Sequence, residues 1–434
     1  MHRILFLFVL SLPLTARAAC PDLSAYSPGA QPDWTELEQQ LAALLPECLE
    51  SSEYFALFGA AQLNSGRLAD SLESLERALL IDPNNGAASI DYAQALFEGG
   101  ELFTALELNE RPLEREDLLP NLEPLLASRQ QSWQALTRQT SFQADVLAGY
   151  DSNLNGAPDT GSVNLTLSGE SIQLALNPEF RPIRGPYLNM RLLGRYRELA
   201  PTHQHNWMVG LRGRLSEDTD SDLLQLETRY EFNRPGRQRS WLLGAGMNHL
   251  AFGGNVIFSG TDASARFLPS TETQCKPFYG LALQHQFYHE QRRLNGLESK
   301  VSAGVNCPVS STQQLSIELG ALNNVALKSD RLGGDRNGWQ LNLDWQYLMP
   351  LGILRAQLSH TQLDDREGYS PLLDGGAKRK LDRTYVVLQY RQPVQLWGRN
   401  TDFLVNIYHQ RRNSNIELFS SVDTTAEIGL SWAF

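Results

Sequence analysis

The chain has 434 residues, with 37 Lys and Arg against 49 Asp and Glu, a net charge of −12 and an ordinary hydrophobic fraction of 42%. So acidic a chain has no basic surface to neutralise phosphates, which excludes nucleic acid as a partner. Mean hydropathy is −0.33, and beyond the N-terminal segment no run reaches the ~18 apolar residues of a membrane-crossing helix, so helical membrane proteins are excluded as well.

Residues 1–19 read as a secretory signal peptide: basic His2 and Arg3, an apolar stretch from Ile4 to Leu14, and the small-x-small cleavage pattern Ala16-Arg17-Ala18. Cys20 follows at once, but Arg17 stands where a lipidation motif needs an aliphatic residue, so ordinary cleavage is expected. An exported chain meets an oxidising compartment, and the four cysteines divide by region into candidate disulfides Cys20/Cys48 and Cys275/Cys307. Their connectivity stays open at this level.

Residues 20–140 carry helical patterning. Ser52 to Asn85 matches the 34-residue tetratricopeptide pattern, with Gly59 at the helix approach, Gly66 at the turn, Ala78 as a small packing residue and Pro83 after the second helix. Ser71 and Leu75 replace the usual Ala and aromatic, and a degenerate second copy keeps Gly100, Leu102 and Ala105 before Pro112. Helix-pair repeats need stacked neighbours, so Trp34 to Leu45 and Leu119 to Leu136 are expected to cap a short periplasmic α-solenoid. Such a unit either holds a peptide or protein on its concave face or braces the next domain.

From Ser141 to Phe434 the period becomes two. Trp339, Leu341, Leu343, Trp345 and Tyr347 alternate with Gln340, Asn342, Asp344 and Gln346; Leu224, Leu226, Tyr230 and Phe232 alternate with Gln225, Glu227, Arg229 and Glu231; Leu188, Met190, Leu192 and Tyr196 alternate with Asn189, Arg191, Arg195 and Arg197. Apolar faces bearing aromatics set against charged faces suit a transmembrane antiparallel β-barrel with a polar lumen. The fold class is therefore α + β multidomain, a short solenoid followed by a barrel of about 14 strands, with 16 as the alternative. Fifteen segments alternate, and a barrel whose first and last strands share a rim needs an even number. The Gly-rich, weakly alternating Phe252 to Leu268 is expected to be a non-spanning excursion. On that count, turns at Arg181 to Gly185, Ser216 to Ser221, Pro308 to Thr312 and Met349 to Gly352 lie inside, and loops at Asp151 to Ser168, Val325 to Arg336 and Asp364 to Lys380 outside. Cys275 and Cys307 then stand at the periplasmic ends of neighbouring strands. The final strand sets Ala426, Ile428, Leu430, Trp432 and Phe434 on one face, and an amphipathic strand ending in Phe resembles the signal read by the outer-membrane barrel assembly machinery.

No Gly-x-Ser-x-Gly, HExxH, phosphate-loop or CxxC motif occurs, so an enzyme is not expected, and neither is a cofactor or resident metal. His203 and His205 are placed in an outer loop and, like His360 with Asp364 and Asp365, have no third convergent ligand that sequence can assign. Asp218, Asp220 and Asp222 open like a calcium loop, yet Leu223 stands where Gly belongs, so a solvated turn is expected. Arg191, Arg195, Arg197, Arg212, Arg214, Arg229 and Arg355 fall on polar faces; they either tune passage of an anionic cargo or pair with wall acids such as Glu227 and Glu231.

Two short stretches remain, Gly149-Tyr150-Asp151-Ser152-Asn153-Leu154-Asn155-Gly156-Ala157-Pro158 and Arg411-Arg412-Asn413-Ser414-Asn415-Ile416. With tetratricopeptide-like helices ahead and a terminal Phe, the chain resembles the Slam family, the surface lipoprotein assembly modulators, over nearly all its mature length. That resemblance implies a Gram-negative outer-membrane translocon that moves a client, a surface lipoprotein or small soluble secreted protein, out of the periplasm. Its partners would be the client, outer-membrane lipid and, during biogenesis, the assembly machinery. Tyr150, Asp151, Ser152, Asn153, Asn155, Ser414 and Asn415 are the motif residues, and turn formation is an alternative account of them. Competing readings are a tetratricopeptide-barrel exporter of polysaccharide and a non-conducting structural or adhesive barrel.

Overall fold

A computed structural model describes residues 20–26, 32–115, 118–236, 239–396 and 398–434; the signal peptide lies outside them. The chain divides between Thr137 and Arg138 into two compact units.

The first unit contains six α-helices among its described residues: α1 (Trp34–Leu44), α2 (Ser52–Asn64), α3 (Leu68–Ile81), α4 (Gly86–Glu98), α5 (Leu102–Leu113) and α6 (Glu123–Leu136). Side chains of Asp33, Ser51 and Asn85 accept the N–H of Glu36, Tyr54 and Ala88 and so fix three of the starts. A Cβ on Gly59 would lie 2.6 Å from Leu75 Cγ, so only glycine lets α2 and α3 cross this closely. In place of the usual Ala, Ser71 is buried and donates to the Gly59 carbonyl at 2.8 Å. The pairs α2/α3 and α4/α5 start 34 residues apart (52 and 86, 68 and 102), and their turns place Gly66 and Gly100 at φ 80° and 86°. The second helix pair thus keeps the backbone of the first although its sequence match is degenerate. Leu41, Tyr54, Leu75, Ala78 and Ala88 form the core, and the Cys20–Cys48 disulfide ties the N-terminal segment to the loop after α1.

The second unit is a closed antiparallel barrel of fourteen strands. They are β1 (Arg138–Asp151), β4 (Gly185–Leu199), β5 (Gln204–Ser216), β6 (Leu223–Arg234), β7 (Arg239–Phe252), β8 (Asn255–Pro269), β9 (Lys276–Tyr288), β10 (Gly296–Pro308), β11 (Gln313–Ala326), β12 (Arg336–Met349), β13 (Gly352–Gly368), β14 (Lys378–Leu396), β15 (Arg399–Ser414) and β16 (Ser421–Ala433). The remaining two, β2 (Ser162–Leu167) and β3 (Glu170–Ala175), make a separate hairpin. Barrel neighbours follow chain order, and β16 closes on β1 from Gln143↔Ala433 to Asp151↔Thr425. The outer face is apolar, with Leu192, Val209, Met247, Leu281, Val301, Leu319 and Ile428 all exposed. At one rim Tyr196, Trp207, Tyr230 and Phe232 cluster around His205 as part of an aromatic girdle. This is the exterior of a membrane barrel, since a surface so apolar and continuous matches hydrocarbon and not water. Each strand has 12 to 19 residues, more than the ~10 needed to cross a bilayer obliquely. One rim carries short connections, such as 309–312 and 350–351, together with the start of β1 and the end of β16; the other carries 152–184, 327–335 and 369–377.

Several expectations are corrected here. Phe252 to Leu268 is not an excursion: β8 occupies it and pairs with β7 and β9 over its length. The real excursion is the β2/β3 hairpin, whose six-residue strands are too short to span. The expected excursion is a strand and the expected strand is the excursion, so the total stays at fourteen while the chain between them runs opposite to expectation. Arg181 to Gly185 and Ser216 to Ser221 consequently lie at the long-loop rim, with Asp151, and His203 and His205 at the short-turn rim. After β8 the parity is restored, and Pro308 to Thr312 and Met349 to Gly352 fall at the short-turn rim. Helix α6 starts at Glu123, later than Leu119, and β1 starts at Arg138, earlier than Ser141.

Candidate functional site

The motif residues converge on the seam where β1 meets β16. Beyond Asp151 the ladder is continued by Ser152, whose N–H donates to the Thr424 carbonyl at 3.1 Å and whose Oγ accepts from Thr424 N at 2.7 Å. Asp151 is buried; it accepts the Asn153 N–H at 2.7 Å and a charge-assisted bond from Arg214 at 3.0 Å. Arg214 also donates to the carbonyls of Leu154 and Ser221, so one guanidinium holds the loop after β1 against β5. Asn153 closes the loop on itself, accepting from Ala157 N at 2.9 Å and donating to Ala157 O at 2.8 Å, and reaches across to the Val422 carbonyl at 3.3 Å. Asn155 donates to Arg181 O and accepts from Ile183 N, fastening the far end of the excursion.

On the other side of the seam, Ser414 Oγ accepts the Ile416 N–H, and Asn415 bridges to β14 by accepting from Lys380 N at 2.7 Å and donating to Lys378 O at 2.9 Å. The backbone N–H of Asp159 donates to Ser420 O. Two stretches far apart in sequence thus form one contiguous belt at the long-loop rim. Short amide, carboxylate and hydroxyl side chains are used because they bond nearby backbone groups without needing helix or sheet. Tyr150 does not join them; its side chain is exposed on the outer face.

Below this belt the wall holds a charged hub. Glu427 of β16 has a completely buried side chain. Its Oε1 accepts from Tyr187 OH at 2.8 Å and Asn189 Nδ2 at 2.6 Å, and its Oε2 from Arg191 at 3.0 Å and Asn406 Nδ2 at 3.1 Å. Arg212 stands 4.0 Å away and Arg191 also donates to Tyr408 OH. These groups come from β15, β16, β4 and β5, so the carboxylate draws strands together on both sides of β1. Gly149 permits this: a Cβ there would lie 2.5 Å from Tyr187 Cζ, and only a bare α-carbon lets the phenol pass over β1 to the carboxylate. At the other rim Phe434 completes the seam, exchanging backbone bonds with Phe142 at 2.8 and 3.1 Å.

Other lumen-facing arginines are dispersed. Arg229 pairs with Glu231 at 2.8 Å and Asp262 at 3.5 Å, Arg355 with Asp344 and Arg197 with Gln139. Arg195 lines a cavity near the short-turn rim with Arg138 and Glu231. Cys275 and Cys307 are bonded at the base of β9 and β10. Asp222 accepts from Ser216 N and Asp218 from Ser221 Oγ, so these two carboxylates bond their own loop. His360 bonds Thr384, whereas Asp365 points to the opposite face of β13 and pairs with Arg336 and Arg379. No group of three metal-ligating side chains occurs among the described residues. Ser259 Oγ lies 2.8 Å from both His249 Nδ1 and His289 Nε2 on the outer face. Among the described residues no carboxylate orients either imidazole, and a serine relay needs that third group.

Glu427, Tyr187, Asn189, Asn406 and Tyr408 were not singled out from sequence. The available signal was Glu427 itself, an acid at a lumen position between Ala426 and Ile428, which face outward; its partners lie in strands whose adjacency sequence does not encode locally.

These features define a fourteen-stranded membrane β-barrel preceded by a helical unit. No family model matches the chain, and no curated protein does. Among solved structures, the barrel is similar to a FadL homologue of Pseudomonas aeruginosa (9% identity, 68% of this chain and 89% of that one, TM-score 0.37). It is similar also to the outer membrane channel DcaP of Acinetobacter baumannii (11% identity, 69% and 98%, TM-score 0.38). Likeness of this strength carries no functional argument.

Proposed function

We propose that this protein is an outer-membrane translocon of the Slam type, which receives a client protein in the periplasm and delivers it to the cell surface or the medium. The observation that carries the reading is the belt at the long-loop rim. Residues of both stretches behind the family resemblance, Asp151, Ser152, Asn153 and Asn155 with Ser414 and Asn415, share one rim, where Ser152 and Asn153 bridge the closing seam and the others fasten the loops beside it. Barrels of outer membranes keep short turns on the periplasmic side, which supports a periplasmic start of β1 and, on this reading, a periplasmic helical unit. The outward Trp432 of β16 and the exposed Phe434 that follows the strand suit recognition by the barrel assembly machinery. No nucleotide is at hand in that compartment, so client folding or capture outside supplies the direction.

The test is deletion of the gene followed by quantification of protease-accessible surface protein and secreted protein, with Asn153→Ala and Asp151→Ala alongside. Loss of one protein from outside with its retention in the periplasm is the expected result and identifies the client. An unchanged surface and exoproteome refutes the reading, and loss of surface polysaccharide alone would favour the exporter alternative.

A further inference from the structure

A cavity of about 480 Å³ lies inside the barrel toward the long-loop rim, lined by consecutive strands from β9 round to β16 and by the loops after β1 and β15. Four arginines line it, Arg336, Arg379, Arg383 and Arg412, against the single acid Glu298. In a chain of net charge −12 this is a local inversion of sign. Arg383 and Arg412 are register partners on β14 and β15, the arrangement in which like charges directly repel. Among the described residues neither makes an ion pair. The acids nearby are already engaged. Asp365 is shared by Arg336 and Arg379 at 3.2 Å each, and Glu298 accepts from Gln286 and Asn324. Asp423 stands on β16 opposite Gln410, one inward position from Arg412's partner Ser421, and its charge reaches Arg412 without forming an ion pair. The Nε atoms of Arg331 and Arg379 are buried and make no hydrogen bond among the described residues.

Folding alone gives no reason to confront two guanidiniums across a ladder and leave both without an ion-paired acid. A ligand with several negative oxygens removes the repulsion and supplies acceptors, and guanidinium forks suit planar or tetrahedral oxyanions bidentately. The volume is that of a small-molecule site. We propose that this cavity binds a small multivalent oxyanion, bearing phosphate or carboxylate groups, held principally by Arg383 and Arg412. The proposal is independent of the translocon reading, because it concerns a bound ion and not the cargo.

The test uses the full mature chain folded in detergent micelles, titrated calorimetrically at constant ionic strength with pyrophosphate, citrate and, as a monovalent control, acetate. Saturable binding of pyrophosphate or citrate, with acetate at least tenfold weaker, is expected, and the stronger of the two names phosphate or carboxylate as the source. The double variant Arg383→Gln/Arg412→Gln should weaken binding at least tenfold, and Lys276→Gln at the opposite rim should leave it unchanged. Thr361→Glu, which sets a carboxylate in the same cavity while keeping every arginine, should weaken binding similarly and decides the matter if the double variant fails to fold. Absence of saturable binding to the wild type, unchanged affinity in the cavity variants, or an equal loss in Lys276→Gln would overturn the proposal.

Discussion

Replacing Glu427 by alanine should be among the most damaging single changes in the barrel. The carboxylate is wholly buried and accepts four hydrogen bonds at 2.6 to 3.1 Å. Breaking a buried ion pair by removing one partner costs about 3–5 kcal/mol, here for the orphaned Arg191. Stranding Tyr187, Asn189 and Asn406 adds about 1–3 kcal/mol each when no substitute acceptor arrives. Groups in one network do not add independently, and Arg191 keeps its bond to Tyr408 OH at 3.1 Å, so a total near 5 kcal/mol is expected. Glu427→Gln keeps the shape and one acceptor oxygen, and should cost about 2 kcal/mol. Unfolding in urea of the chain in micelles, followed by tryptophan fluorescence and heat-modifiable gel mobility, measures both. The pair replacement Glu427→Leu/Arg191→Met should be milder than Glu427→Ala, because no charge is left alone. If Glu427→Ala unfolds within about 1 kcal/mol of wild type, water replaces the carboxylate freely and the hub does not hold the seam.

Three further outcomes follow from the same geometry. Gly149→Ala, by pushing a Cβ into the Tyr187 ring, should destabilise by about 1–3 kcal/mol in the same urea assay; in a Tyr187→Ala background the cost should vanish. Asn153→Ala removes bonds to Ala157 N and O and to Val422 O and should cost about 1–3 kcal/mol, seen in limited proteolysis as new cleavage within 152–160; protection equal to wild type would contradict the clamp. In the helical unit, burial pushes the Asp91 carboxyl up from 3.8 to about 6, partly offset by Arg129. The folded form therefore holds its proton more tightly than the unfolded chain, so its stability contribution is full below pH 4 and is lost as pH rises through 6. Asp91→Asn should remove that slope and stabilise the unit at pH 7 by about 1–3 kcal/mol, measured by thermal melts at pH 4 and 7; equal melting shifts at the two pH values would refute it.

Legibility from sequence divided along locality. Two-residue alternation is written into each strand by side-chain geometry, so the outward and inward faces of β4, β6 and β12 were readable residue by residue. Alternation over Phe252 to Leu268 is weak because β8 carries small residues on both faces, Ala263 and Ala265 outside, Gly260 and Ser264 inside, which mutes the contrast. A local signal did exist. Gly253 and Gly254 both have positive φ, as do Ser168 and Gly169, and each pair is a two-residue hairpin turn that demands strands on either side. Turn chemistry announces a hairpin but not whether it enters the barrel.

Chain alone thus determined the helical repeat spacing, the period-two β region, the polarity of its two faces and the turn-forming character of Asp151, Asn153 and Asn415, all consequences of local backbone and side-chain stereochemistry. Tertiary structure alone decided which hairpin stands outside the barrel, which rim each loop occupies, and that Glu427 meets Tyr187 and Asn189 across a glycine. Those are properties of strand adjacency and closure, set by the pairing of every strand with its neighbours, and no window of sequence contains them.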